Sequence, residues 1–192
     1  MTVGSTILSS QIRGSAQQKS RMALDGPQLR NALGHYPTGV CVVTARTLDN
    51  ALLGLVVGSF TSVSLEPALV GFLPARSSGT WAQMAECAAF GINVLAEDQE
   101  DLCRQMVRPG PDKFSGVALD PAPSGVPMIR DAILQIHCTP YATQEAGDHW
   151  FVLGRVDRIE VMREKRPLLF HRGAYCNLSA SGLQPELSRR AG

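Results

Sequence analysis

The chain predicts a mainly β protein with flanking helices, its strands forming an antiparallel meander or barrel. Two observations lead there. Five short runs (Val40 to Ala45, Leu52 to Val57, Phe60 to Ser64, Leu69 to Leu73 and Phe90 to Leu95) are apolar, β-branched or aromatic, and Gly, Pro, Asn or Asp bound them at turn-length gaps. Helical spacing interrupts the runs in few places, so helices act as covers and not as the frame.

In chain order, residues 1–24 are rich in Ser, Gln, Gly and Thr with little periodicity and read as a mobile arm. The folded domain spans 25–178. Leu29, Leu33 and Tyr36 sit at helical spacing, and Pro37-Thr38-Gly39 ends that helix. A second helix is expected from about Thr80 to Cys87, opened by Ser77-Ser78 with a Thr80-x-x-Gln83 capping box; a third, about Glu97 to Val107, carries acidic residues in its first turn and Arg104 near its end. Arg108 to Phe114, continued through Ser124-Gly125-Val126-Pro127, is too rich in Pro and Gly for an element interior. Strands return at about Ala132 to Thr143 and His149 to Met162, and residues 179–192 read as a tail.

Composition sets bounds on function. With 192 residues, 44% hydrophobic and 18% charged, the chain buries a sizeable core in one domain. A net charge of +1 gives no field to hold nucleic acid. Every apolar run is broken too early to span a bilayer, so no membrane partner is expected. Cys41, Cys87, Cys103, Cys138 and Cys176 are odd in number and widely spaced, which points to reduced thiols in a cytoplasmic protein. No metal set is expected, because C-x-x-C spacing is lacking and His35, His137, His149 and His171 lie far apart.

Four stretches carry chemistry. Gly147-Asp148-His149 opens the apolar run Trp150-Phe151-Val152-Leu153, which puts an imidazole at a strand mouth; a turn with a half-exposed His reads equally from these residues. Arg76-Ser77-Ser78-Gly79-Thr80 offers hydroxyls, backbone N–H groups and a cation to a phosphate, or merely caps a helix. Ser59-Phe60-Thr61-Ser62 places polar atoms at a junction of apolar strands, where they need partners unless they face water. Lys113-Phe114 sets a cation beside an aromatic ring.

Taken with Pro37-Thr38-Gly39-Val40, Gly58 to Pro67, Gly91-Ile92-Asn93-Val94-Leu95 and Pro167 to Tyr175, these blocks follow one another in an order that closely resembles the short-chain flavin reductases. Those are the reductase components of two-component flavin-dependent monooxygenases, and the resemblance covers residues 28–178. It implies a split β-barrel of the flavin reductase-like, FMN-binding kind, with FMN or FAD as the flavin and NADH or NADPH as co-substrate. It also implies a homodimer that passes reduced flavin by diffusion to a partner monooxygenase.

Residue by residue, the resemblance places Pro37, Thr38, Gly39, Ser59, Phe60, Thr61 and Ser62 at the flavin ring. Ser77, Ser78 and Thr80, with Arg76, fall at the flavin phosphate, and Lys113 and Phe114 at a phosphate or ring face. Asn93 falls at the flavin's polar chain, although strand-end capping explains it as well. Phe170, His171 and Tyr175 complete the pocket wall. His149 is the candidate catalytic residue, orienting the nicotinamide for hydride transfer to flavin N5, with Asp148 setting its tautomer. The chain departs from the pattern at Val56-Val57-Gly58, where relatives commonly carry Thr-Val-Asn, so only backbone contact is expected from Gly58. A flavin carrier without catalysis, or an oxidase or monooxygenase with retained flavin, are the alternatives; the Gly147-Asp148-His149 element favours the reductase.

Overall fold

The computed structural model describes residues 25–122 and 125–178; the arm expected at 1–24 and the tail at 179–192 lie outside the described residues. Helix α1 (Gly26–Leu33) opens on Asp25, whose carboxylate accepts from the Gln28 amide at 2.6 Å, with Pro27 in the first turn. It stops short of Tyr36, because the residue before a proline is pushed out of the α region and Pro37 follows at once.

Strands β1 (Thr38–Gly39), β2 (Cys41–Arg46), β3 (Leu52–Val57), β4 (Thr61–Leu65) and β5 (Ala68–Phe72) precede helix α2 (Gly79–Met84) and β6 (Phe90–Val94). The expected third helix divides into a 3-10 turn (Glu97–Gln99) and helix α3 (Glu100–Val107). Beyond the Pro/Gly loop come β7 (Leu119–Asp120), β8 (Met128–Ile129), the long hairpin β9 (Leu134–Ala146) and β10 (His149–Val161), and the short pair β11 (Leu169–His171) and β12 (Ala174–Cys176).

Seven strands form one antiparallel sheet in the order β3-β2-β6-β9-β10-β5-β4. Strands β3 and β4 are its opposite edges, yet only Gly58-Ser59-Phe60 separates them in sequence. Laid flat, seven strands about 4.8 Å apart put the edges roughly 29 Å from each other, while this link reaches about 14 Å at best. The sheet must therefore curl until its edges adjoin. The result is a barrel left open along the β3/β4 seam, the split barrel anticipated from the sequence. The Ser59 hydroxyl pins the link by accepting from the Leu73 amide at 2.9 Å and donating to the Leu73 carbonyl at 3.4 Å.

β2 explains why an unbroken apolar run can be a strand. Its Cys41, Val43 and Ala45 enter the barrel interior with Phe72, Trp81, Phe90 and Ile136, while Val42, with Val40 just before it, packs on the other side with Cys103 and Met106 of α3. Phe72 is wholly buried, with the Trp81 and Phe90 rings edge-on at 5.6 Å each. Burial on both faces removes the alternation a half-exposed strand would show.

Candidate active site

The outer face of β3 organises the site. Side chains alternate along a strand, so Leu53 and Val57 point into the barrel core while Leu52, Gly54, Val56 and Gly58 share the opposite face. Two cavities lie along that face. One, of about 550 Å³, is lined by Leu52, Gly54, Thr80, Gln83, Lys113 and Phe114 among others. The second, of about 220 Å³, is lined by Thr38, Val40, Val56, Val57, Gly58, Val107, Phe170 and Tyr175.

The first cavity is the charged end, its lining including both Lys113 and Asp112. Gly54 admits the loop: a Cβ there would stand 3.1 Å from the Phe114 ring and 3.0 Å from Met106 Sδ, so the missing side chain lets Lys113-Phe114 dock on the strand. Lys113 Nζ rests 3.4 Å from the Gly54 carbonyl, and among the described residues it pairs with no carboxylate. Gln105 Nε2 fixes the loop by donating to the Lys113 and Ser115 carbonyls at 3.0 and 2.8 Å. A neighbouring hollow shares Lys113 and adds Arg108, a second cation that the sequence left undistinguished in its loop.

The second cavity is the apolar end. Thr38 pairs in register with Phe170, and the Phe170 and Tyr175 rings meet at 5.3 Å. The Tyr175 hydroxyl is taken by Cys103 Sγ at 3.2 Å, and the Arg104 guanidinium covers its ring at 4.9 Å. Burial first, and the Cys103 contact second, push the Tyr175 hydroxyl up to about 12, so it stays neutral and serves as wall. The sequence placed Arg104 near the end of its helix and Cys103 among the reduced thiols but gave neither a part in the site; their one signal is that they share the helix preceding the Lys113 loop. His171 pairs with Ala174 and lines neither cavity, and Pro37 and Gly39 lie exposed beside Thr38.

A third group forms around the hairpin tip. The Arg76 amide donates to the Asp148 carbonyl, the Trp150 amide donates to the Pro74 carbonyl, both at 2.9 Å, and Ala75 pairs with His149. The segment carrying Arg76-Ser77-Ser78 is thereby zippered to the Gly147-Asp148-His149 turn, where Gly147 takes a φ of +67° that suits glycine. His149 Nδ1 lies 2.8 Å from the Asp148 carboxylate, and this contact first of all holds the Asp148 carboxyl below its usual range. With Nδ1 donating, Nε2 points away as the group left for a ligand.

Several expected ligands have other duties. Asn93 is wholly buried: its amide donates to the Val42 carbonyl at 3.0 Å and the Thr44 hydroxyl at 3.1 Å, and accepts from the Ile129 amide at 2.8 Å. It is a brace between β2, β6 and β8, which corrects its assignment to the flavin chain. Ser78 is the α2 cap, accepting from the Trp81 amide at 3.1 Å, and Gln83 reaches the Gly79 carbonyl; the cap lies two residues before the expected Thr80. Arg76 is paired with Glu145 at 3.4 Å and stacks on Trp150 at 5.1 Å, partners the sequence did not reveal. Ser59 clamps the seam and Phe60 packs against the barrel core, while Thr61 and Ser62 are exposed on β4.

The fold is a split barrel whose edge-strand face carries a lysine at one end and aromatic rings at the other. Residues 33–179 match the flavin reductase like domain, and the chain belongs to that family. It is 44% identical over 160 residues to a flavin reductase of Pseudomonas putida, covering 83% of this chain and 94% of the relative. The flavin-dependent monooxygenase reductase subunit HsaB of Rhodococcus jostii is 38% identical over 165 residues, covering 85% and 81%. The NADH:FAD oxidoreductase SgcE6 of Streptomyces globisporus, solved in complex with NAD and FAD fragments, superposes with a TM-score of 0.77 at 30% identity, covering 82% and 95%.

Proposed function

We propose that this chain is an NAD(P)H-dependent flavin reductase that supplies reduced FMN or FAD to a partner monooxygenase. The observation that carries the reading is the polarity of the β3 face, cationic at Lys113 and apolar between Val56 and Phe170. A flavin has that polarity, with a phosphate at one end and a flat ring at the other. Its bound ring supplies the two-electron chemistry, accepting a hydride from reduced nicotinamide. Lys113 and Thr80 hold the phosphate; Thr38, Phe170 and Tyr175 wall the ring and exclude water. His149, its Nδ1 fixed by Asp148, orients the nicotinamide nucleotide through Nε2, and Arg76 seats that turn.

Release to the partner is by diffusion, as suits a reductase named as a separate subunit in the Rhodococcus jostii relative. The working unit is a homodimer, as in the family the chain belongs to, and Leu33, Tyr36, Leu65 and Val161, which are 63%, 75%, 91% and 75% exposed, are the apolar side chains open to a second copy. Among the described residues no helix is long and apolar enough to cross a membrane, and five free thiols favour the cytoplasm.

The test follows NADH absorbance with purified protein, with and without FMN, FAD or riboflavin. Oxidation that requires added flavin is expected. Flavin binding without NADH oxidation makes the chain a carrier and overturns the reading. Sedimentation at micromolar concentration tests the dimer.

A further inference from the structure

Five polar side chains are buried among the described residues, and four of them are satisfied. Asn93 donates to Thr44, Gln99 bonds the Ala96 amide and the Arg130 carbonyl, and Gln135 donates to Asp120 and to the Ile129 carbonyl, both at 2.9 Å. His137 is the exception. It is 8% exposed, it stands on the face of β9 opposite Ile136 and Cys138, and neither ring nitrogen has a hydrogen-bond partner among the described residues. Its nitrogens are not sealed off, as Arg163 Nε is, and the exposure left to the ring falls on a cavity of about 200 Å³. Thr139, Asp157 and Arg158 line that cavity beside His137, with Ala89 and Val126 as apolar walls. None of these residues lines either cavity along β3.

The charges at this cavity select its ligand. Arg158 is already paired, its guanidinium donating to Glu160 at 2.6 Å. Asp157 is not. The register of β9 with β10 slips between Val156 and Arg158, which makes Asp157 the extra residue of a bulge, a device that re-aims a side chain. Its carboxylate receives the Thr139 hydroxyl at 3.5 Å and pairs with no cation among the described residues. Burial first, and Arg158 second, hold the His137 imidazole below its ordinary value, so near neutral pH it is uncharged and keeps one nitrogen as an acceptor. An uncompensated carboxylate next to a neutral imidazole calls for a donor that carries positive charge. A metal ion does not fit, since among the described residues no three His, Cys, Asp or Glu side chains come together to hold one.

We infer that the cavity between His137 and Asp157 is a second ligand site, apart from the flavin site, for a small organic cation: an ammonium on a short apolar body. Its N–H groups go to the Asp157 carboxylate and the His137 imidazole, and its carbon body lies against Ala89 and Val126.

Benzylamine, benzyl alcohol and benzoate, which share a ring and differ in charge, test the site on the whole protein near neutral pH. Calorimetry gives their affinities, and the NMR resonances of the His137 ring, assigned with His137→Gln, give the location. Benzylamine shifts those resonances saturably, and the alcohol and the acid bind about ten-fold more weakly or worse. Asp157→Asn, at an exposed bulge residue, weakens benzylamine by about ten-fold or more and leaves FMN affinity within about two-fold; His137→Phe weakens benzylamine by about three- to ten-fold. Melting temperatures confirm that the variants fold, and should His137→Phe fail to, Asp157→Asn decides alone. His137 resonances indifferent to benzylamine, benzoate bound as well as benzylamine, an unchanged benzylamine affinity in Asp157→Asn, or displacement of benzylamine by FMN each overturn the inference.

Discussion

The two ends of the β9–β10 hairpin obey different rules. At its base β9 lies between β6 and β10, and Gln135, Ile136, His137 and Cys138 are buried. At its tip β9 pairs only with β10, and every residue from Pro140 to Asp148 is exposed. One continuous element is thus buried scaffold at one end and, at the other, a solvated tip tied only at its margin to residues 74–76. The difference teaches that substitutions at the base should register in stability and those at the tip in ligand handling.

The sharpest way to break that division is Ile136→Ala. Ile136 is 1% exposed within the barrel core, and the cavity left should cost about 2–5 kcal/mol. Denaturant unfolding measures it, and a loss under about 1 kcal/mol would show the base to be less closely packed than its burial implies. Asn93→Leu follows, because removing the brace strands the Ile129 amide and the Val42 carbonyl in the core. A cost of about 2–3 kcal/mol is expected, with flavin affinity per folded molecule unchanged. Altered affinity in the folded fraction would return Asn93 to the flavin.

At the tip, His149→Ala should leave the melting temperature alone and lower kcat/KM for NADH by about 1.5–3 kcal/mol, or roughly ten- to a hundred-fold. Unchanged NADH kinetics would remove His149 from the mechanism.

The smallest effect lies away from the hairpin, on the strap that leads to the pocket wall. Asp98 receives Arg163 and Lys165 at 2.7 and 2.8 Å, and Arg166 meets Glu97 at 2.7 Å. The Lys165 contact above all holds the Asp98 carboxyl below its usual value. A depressed carboxyl stabilises above its unfolded pKa and loses that contribution as pH falls through the folded one. Asp98→Asn should therefore cost at most about 1 kcal/mol near neutrality, and its melting curve should converge on the wild type below about pH 4. A pH-independent gap would assign the loss to packing.

Much of this architecture was legible because β-branched runs and turn residues agree with it. β2 was readable through its Val and Thr content despite double-sided burial. The end of β9 was not: Thr143-Gln144-Glu145-Ala146 is solvated on both faces and carries no apolar period, so the strand outruns its expected end at Thr143. The pair β11–β12 was missed as strand because each is three residues long, although Gly173 at φ +82° marks its turn. Of the site, the sequence showed which residues carry useful chemistry. It could not show which already had partners, since the Arg76–Glu145, Tyr175–Cys103 and Asn93–Ile129 contacts join positions far apart in the chain.

The seam that splits the barrel leaves β4 as an open edge, and an open edge is a template for unwanted strand addition. β4 guards itself. Its register with β5 slips between Ser62 and Ser64, a bulge that leaves Val63 unpaired and lets it settle over Gly71. The interrupted ladder offers another chain no straight row of donors and acceptors, so the same irregularity that ends the sheet also works against edge-to-edge strand addition at β4.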